Sequence, residues 1–289
     1  MGMSKVEFLE TPDGRISYET SGSGPLVVAV PGMGDLRSSY REMVTPLVDA
    51  GYRVAIMDLR GHGDSDTTFD DYGDIALARD LIALIDKLGS PAVVLGSSIG
   101  GSAAAYAAAE RPDAVAGLVL YGPLLREPKT TPFAHAMTRV AYRVLFSRPW
   151  GAGAWSRYYP KFNTGRPAEG RPEGRLAPWI HEHTDAIRRM LRQPGRLRAF
   201  RRLTLQLDHS VVEPRLSDIK APMLVFIGES DPDFADQRAE LAWLAKNGAE
   251  TELVLESGHY PHAQRPDVVV PRTLAFIARL RGPAWGESA

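Results

Sequence analysis

The chain contains no cysteine, which excludes disulfide bonds and thiolate metal sites. It lacks charge of one sign: 34 basic side chains against 35 acidic ones leave a net charge of −1. No sequence-wide field therefore points to nucleic acid or to an anionic membrane surface. No apolar run approaches the roughly 18 residues that a membrane-spanning helix needs. Residues 1–11 carry charge and no apolar stretch of signal-peptide length. A cytoplasmic protein without nucleic-acid or membrane partners is the expectation. The glycine-rich patterns that cradle nucleotide phosphates, G-x-G-x-x-G and the P-loop, are missing as well. No metal or flavin motif is visible, so neither a cofactor nor a metal is expected.

What remains is 289 residues of ordinary globular composition, 44% apolar and 24% charged, enough for one large core or two modest ones. Strand-like runs at 6–9 and 15–18 flank Thr11-Pro12-Asp13-Gly14 and read as a hairpin. Residues 26–30 form a continuous apolar run, as suits a strand buried on both faces. A helix is expected over 38–49, stopped by Gly51, with Pro46 disturbing it. Strands at 53–59, 92–95 and 115–120 alternate with helices at 75–88 and 101–110. That rhythm means a mostly parallel central sheet with helices on both faces, the α/β class. It breaks after Tyr121. Residues 131–146, 177–193 and 196–208 look helical, and 163–175, rich in glycine and proline, reads as a loop. The rhythm resumes with strands at 223–227 and 251–255 and helices at 234–246 and 268–280. The inferred organisation is an α/β core, residues 1–121 and 216–289, with a helical cap inserted at 122–215.

Gly96-Ser97-Ser98-Ile99-Gly100 matches G-x-S-x-G. A serine hydroxyl is a poor nucleophile and must sit exposed beside a base. A sharp strand-to-helix turn achieves this at the cost of backbone strain, and the flanking glycines make room for the crossing chain. A chain this long shows the pattern by chance roughly 0.1 times, so the strand before it and the helix after it decide. Ser98 is the candidate nucleophile. An acid and then a histidine should follow at later strand ends. Asp231, in Gly228-Glu229-Ser230-Asp231, and His259, in Gly258-His259-Tyr260-Pro261-His262, occupy those places. Asp233 reads instead as an N-terminal residue of the next helix. Of the other histidines, His62 reads as loop architecture, His262 as a neighbour of the base, and His135, His181, His183 and His209 as solvated or packed on helices. A free histidine base titrates near ~6.5, so the acid limb of kcat/KM is expected in roughly that region, subject to whatever shift the site imposes.

A developing oxyanion needs two donors. One is the Ile99 N–H. The other comes from Pro31-Gly32-Met33-Gly34, where Pro31 has no N–H to give and Met33 is the donor expected.

Together with Met57-Asp58-Leu59-Arg60-Gly61-His62-Gly63-Asp64-Ser65, these motifs resemble the α/β-hydrolase superfamily, in particular its esterase, epoxide-hydrolase and haloperoxidase-like group. The resemblance covers roughly 6–121 and 223–280. It implies Ser98, Asp231 and His259 as a triad, Met33 and Ile99 as the oxyanion hole, and a helical cap after the sixth strand. Pro31-Gly32 departs from the family's usual His-Gly. Serine at position 98 is unlike the epoxide-hydrolase and haloalkane-dehalogenase branches, which attack with aspartate.

The reading that follows is a serine hydrolase acting on a small ester-like substrate through an acyl-enzyme. Amide, lactone and C–C bond hydrolysis, acyl transfer and perhydrolase chemistry use the same residues. A ligand-binding or signalling protein with slow turnover is the alternative of a different class. Nothing in the sequence speaks to oligomeric state. Residues 122–215 hold 16 Arg and 2 Lys against 5 Glu and 2 Asp, a surplus of +11. These arginines either pair with the acidic core or attract an anionic substrate. In the second case Phe133, Met137, Tyr142, Leu145, Trp150, Trp155, Trp179 and Leu191 would form the inner wall of the cap.

Overall fold

The computed structural model describes residues 5–89, 91–127, 131–147, 149–164 and 175–280. Strands β1 (Glu7–Thr11) and β2 (Gly14–Ser21) form the expected hairpin. β3 (Leu26–Val30), α1 (Arg41–Asp49), β4 (Arg53–Met57), α2 (Asp74–Leu88), β5 (Ala92–Ser97), α3 (Ile99–Glu110) and β6 (Val115–Tyr121) then alternate. Four helices follow without a strand: α4 (Pro132–Leu145), α5 (Gly151–Thr164), α6 (Ile180–Leu191) and α7 (Arg196–Gln206). β7 (Met223–Gly228), α8 (Gln237–Lys246), β8 (Ala249–Val254), the short α9 (Pro261–Gln264) and α10 (Pro266–Arg279) complete the chain.

The strands form one eight-stranded sheet in the order β1-β2-β4-β3-β5-β6-β7-β8. Only β2 runs against its neighbours β1 and β4; every pair from β4 to β8 is parallel. The continuous apolar runs are explained by this arrangement. Every residue of β3, β5 and β7 is buried, because helices cover both faces. Met43 and Leu47 of α1 and Phe276 and Ile277 of α10 pack on one face. Leu77 and Leu81 of α2, the alanines of α3 and Leu244 of α8 pack on the other. α3 is alanine-rich because it is buried almost all round, where larger side chains would not fit.

The proline expectations need adjustment. Pro46 lies inside α1 without ending it. α10 begins at Pro266, whose ring is already set for a first helical turn, and runs on through Pro271. Helix α5 had no sequence reading at all. Its glycine-rich start and internal Pro160 disguise it, and the burial of Trp155 and Tyr159 outweighs that poor propensity. Thr164 closes α5, so most of the expected 163–175 loop, residues 165–174, lies outside the described residues.

A third apolar cluster joins the helices between β6 and β7 to the loops at the sheet's carboxyl end. It contains Phe146, Trp155, Tyr159, Ile187, Leu191 and Phe200, packed with Tyr260, Ala263 and Met33. Tyr142, Leu145, Trp155, Trp179 and Leu191 belong to it or pack on it. Phe133, Met137 and Trp150 do not: they are 76%, 51% and 59% exposed, so the expected inner wall is smaller than the apolar residues suggested. Several arginines of this region pair with core carboxylates. Arg126 meets Glu240, Arg175 meets Glu256, Arg202 meets Asp70 and Arg215 meets Glu110.

Candidate active site

β5 ends at Ser97 and α3 begins at Ile99, so Ser98 alone makes the turn. Its φ of 54° and ψ of −122° fall where side-chain-bearing residues rarely go, at a cost of about 1–3 kcal/mol. The turn is tight enough to need its glycines. A Cβ on Gly96 would stand 2.6 Å from the Gly100 carbonyl oxygen, and one on Gly100 would stand 2.3 Å from that of Val30. The neighbouring serines are differently placed. Ser97 is wholly buried, and Ser102 Oγ donates to the Leu124 carbonyl at 2.6 Å.

The Ser98 N–H donates to the Tyr121 carbonyl at 2.9 Å, which sets the turn beside the end of β6. Gly122 follows. A Cβ there would come within 2.8 Å of Asp231 Oδ2 and 3.0 Å of His259 Nδ1, so the turn and this pair adjoin. Asp231 follows β7 and His259 follows β8, at the carboxyl ends of parallel strands, where such sheets collect their ligands. His259 Nδ1 lies 2.9 Å from both carboxylate oxygens of Asp231. That bond orients the ring and leaves Nε2 aimed elsewhere. Nε2 is buried and has no hydrogen-bond partner, Ser98 Oγ included. Such bonds often form only when substrate closes the site.

Asp233 is not a helix residue. α8 starts at Gln237 with Asp236 as its cap, the Asp236 side chain accepting from the Ala239 N–H at 3.0 Å. Asp233 stays in the preceding loop, its own N–H bonded to Asp231 Oδ1 at 3.0 Å. Its carboxylate Oδ2 stands 3.5 Å from His259 Nε2. Burial alone would push the His259 ring down, but the charges of Asp231 and Asp233, with the bond to Asp231, prevail and hold it up at about 9. Two carboxylates thus flank this ring. Asp231, Asp233 and His259 are also the group among the described residues whose ligand atoms, all within 4.8 Å of one another, have metal-like spacing. Nδ1 is already committed to Asp231, so a metal would have to compete with that bond.

Residues outside the motifs hold the histidine loop. Gln264 Oε1 accepts from the N–H groups of Gly258 at 3.1 Å and Tyr260 at 3.3 Å. Its Nε2 donates to the carbonyls of Asn163 at 2.5 Å and Arg175 at 2.7 Å. The His259 N–H donates to the Phe162 carbonyl, and the Phe162 ring meets the imidazole edge-on, with centroids 4.7 Å apart. None of these contacts has a sequence signal, because Gln264 acts through backbone groups and α5 itself was not foreseen.

Ile99 opens α3, where the first N–H groups have no partner within the helix. In the loop after β3, the Gly34 N–H is committed to His62 Nε2 at 3.0 Å, and Met33 precedes it. Gly32 adjoins the serine: a Cβ there would stand 3.1 Å from Ser98 Cβ. The loop is anchored by other groups. His62 Nδ1 bonds the Arg60 carbonyl at 2.9 Å, Trp155 Nε1 donates to the Gly34 carbonyl at 3.1 Å, and buried Asp35 meets His183 Nε2 at 2.6 Å. His62 is thus loop architecture, as expected. His183 is buried and ties α6 to this loop, a role the sequence did not suggest. His209 pairs with Asp74 at 2.9 Å, and His181 is exposed. The side chain of His135 lies outside the described residues.

The Alpha/beta hydrolase family profile matches residues 27–272, and the chain belongs to that family. A 2-hydroxy-6-oxo-6-phenylhexa-2,4-dienoate hydrolase of Comamonas testosteroni is 26% identical over 284 residues, 91% of each chain. Epoxide hydrolase 1 of Siraitia grosvenorii is 35% identical, over 40% of this chain and 39% of its own. Among solved structures, a thermophilic esterase from Thermogutta terrifontis superposes with a TM-score of 0.74 at 22% identity, covering 96% of this chain and all of its own. The relatives include hydrolases of different bond types. No helix of the described residues is long and apolar enough to cross a membrane.

Proposed function

We propose that the chain is a serine hydrolase that cleaves a carboxylic ester, or a related acyl bond, of a small molecule. Ser98 is the nucleophile, His259 the base and Asp231 the acid that orients it. His259 Nε2 takes the Ser98 proton as Oγ attacks the carbonyl carbon, and the N–H groups of Met33 and Ile99 bind the oxyanion. The imidazolium passes the proton to the departing alcohol, leaving an acyl-Ser98 ester. Water then repeats the sequence, releasing the acid and freeing Ser98. Residues 122–215 serve in this reading as a cap over the carboxyl end of the sheet, selecting the acyl and alcohol groups.

The observation that carries the reading is the division of labour on His259. Nδ1 is held by both oxygens of Asp231, which leaves Nε2 as the nitrogen for proton transfer, and the pair adjoins Gly122, next to Tyr121, whose carbonyl takes the Ser98 N–H. A fluorophosphonate probe followed by mass spectrometry tests it. The adduct is expected on Ser98, and chromogenic esters of increasing acyl length should be turned over by wild type and not by Ser98→Ala. An adduct on Ser97 or Ser102 would sink the assignment. Near-full-length similarity to the Comamonas hydrolase favours C–C bond cleavage as the second reading. Turnover of a 2-hydroxy-6-oxo-dienoate with no ester in the panel accepted would decide for it.

A further inference from the structure

The mechanism needs one carboxylate on His259, and the site supplies two. Asp231 holds Nδ1. Asp233, two residues on, presents Oδ2 at 3.5 Å to Nε2, the nitrogen that must receive the Ser98 proton. The short Asp231-Pro232-Asp233 turn enforces this, because the Asp233 N–H is tied to the Asp231 carboxylate. Asp233 is also the more exposed partner: its side chain is 24% exposed, whereas those of Asp231 and His259 are wholly buried.

We propose that Asp233 is a second carboxylate partner of His259 that keeps Nε2 protonated in the resting site and so confines turnover to alkaline pH. The inference rests on the proposed role of His259 as base. Between two carboxylates the ring carries an extra proton on Nε2. It becomes a base only when solvent hydroxide removes that proton, giving water and a neutral imidazole. When the ring then takes the Ser98 proton, the new N–H again faces Asp233, which stabilises the ion pair that forms during attack. The same carboxylate thus raises the pH at which the base is free and strengthens the base once it is free.

The surroundings bring charge from several elements. Asp35, in the loop after β3, adds a third negative charge that acts on the ring, and burial together with the His259 charge helps keep His262 of α9 neutral. Tyr260, also wholly buried, is held in its uncharged form by burial, with the charges of Asp35, Asp233 and Asp231 adding to the effect. Asp233 also acts on the Tyr142 phenol of α4 and on His209. Phe162 of α5 contributes an uncharged wall. Asp231 and Asp233 are the strongest of the charges drawing a proton to the ring.

The test is a pair of pH titrations on the intact enzyme. The first follows the His259 ring by NMR, assigned by its loss in His259→Gln. The second follows kcat/KM for a chromogenic ester. In Asp233→Asn, and in the smaller Asp233→Ser, the ring titration and the acid limb should both move down by about one pH unit, the low end for a carboxylate at this distance because solvent screens it. Activity at neutral pH should rise about tenfold and the alkaline plateau should fall. If the ring titrates unchanged in both variants, or if both lose activity at every pH without a shift of the limb, the proposal is overturned. The NMR arm separates this from the assignment of the nucleophile. If the ring moves as expected but Ser98→Ala still hydrolyses the ester, the mechanism fails while the role of Asp233 stands.

Discussion

His262 offers a test of the buried electrostatics that does not depend on the reaction. Its ring stacks on Tyr40, with centroids 4.6 Å apart and planes 24° apart, and lies 4.7 Å from Tyr121. Neither of its nitrogens has a hydrogen-bond partner among the described residues. Burial pushes the ring down to about 3, with Asp35 opposing and His259 and His183 assisting. The unfolded chain takes up a proton at this ring near ~6.5, whereas the fold refuses it. Protons therefore favour unfolding, and stability declines as pH falls from that value toward the folded one. Between about pH 7.5 and about pH 5 the loss from this one group is ~2 kcal/mol. His262→Phe keeps the stack and removes the titration. The larger ring costs about 1–3 kcal/mol in packing, but that cost is the same at both pH values. Urea unfolding, followed by tryptophan fluorescence at the two pH values, should show the difference between them shrink by ~2 kcal/mol with an unchanged m. An unchanged difference would mean that His262 takes up its proton in the fold as it does unfolded, and the account of its burial would be wrong.

Three further outcomes follow from the site. Asp231→Asn should lower kcat about ten-thousand-fold by leaving His259 in the wrong tautomer, measured with the ester on which wild type is most active; a larger loss from Asp233→Asn would reverse the roles of the two acids. His62→Ala removes the acceptor of the Gly34 N–H, so it should cost about 1–3 kcal/mol in urea unfolding and, with Met33 in its proposed role as oxyanion donor, up to about a hundredfold in kcat as its N–H drifts; unchanged kcat in the destabilised variant would show that the other anchors suffice. Because arginines 126, 175, 202 and 215 are paired with core carboxylates, kcat/KM for an anionic ester should vary little with ionic strength, and a steep decline with salt would restore the steering role considered for them.

The α/β class, the order of the strands and the places of Ser98, Asp231 and His259 after strands were legible in the chain because each is a local pattern. Apolar runs report strands covered on both faces, and the G-x-S-x-G turn is written in glycines whose absent Cβ atoms the fold needs at Gly96 and Gly100. Tertiary structure alone decided what surrounds those residues. Helix α5 exists because Trp155 and Tyr159 find a core to enter, in spite of Pro160 and a glycine-rich start. Gln264 steadies the histidine loop through backbone atoms, which carry no residue identity. Asp233 was expected to begin a helix, as its spacing allows, but Asp236 makes a better cap, and the turn delivers the Asp233 carboxylate to His259 Nε2 instead. Distances through space between loops that meet at one end of a sheet depend on how the whole sheet is covered. That arrangement separates a histidine near its ordinary proton affinity from one held at about 9.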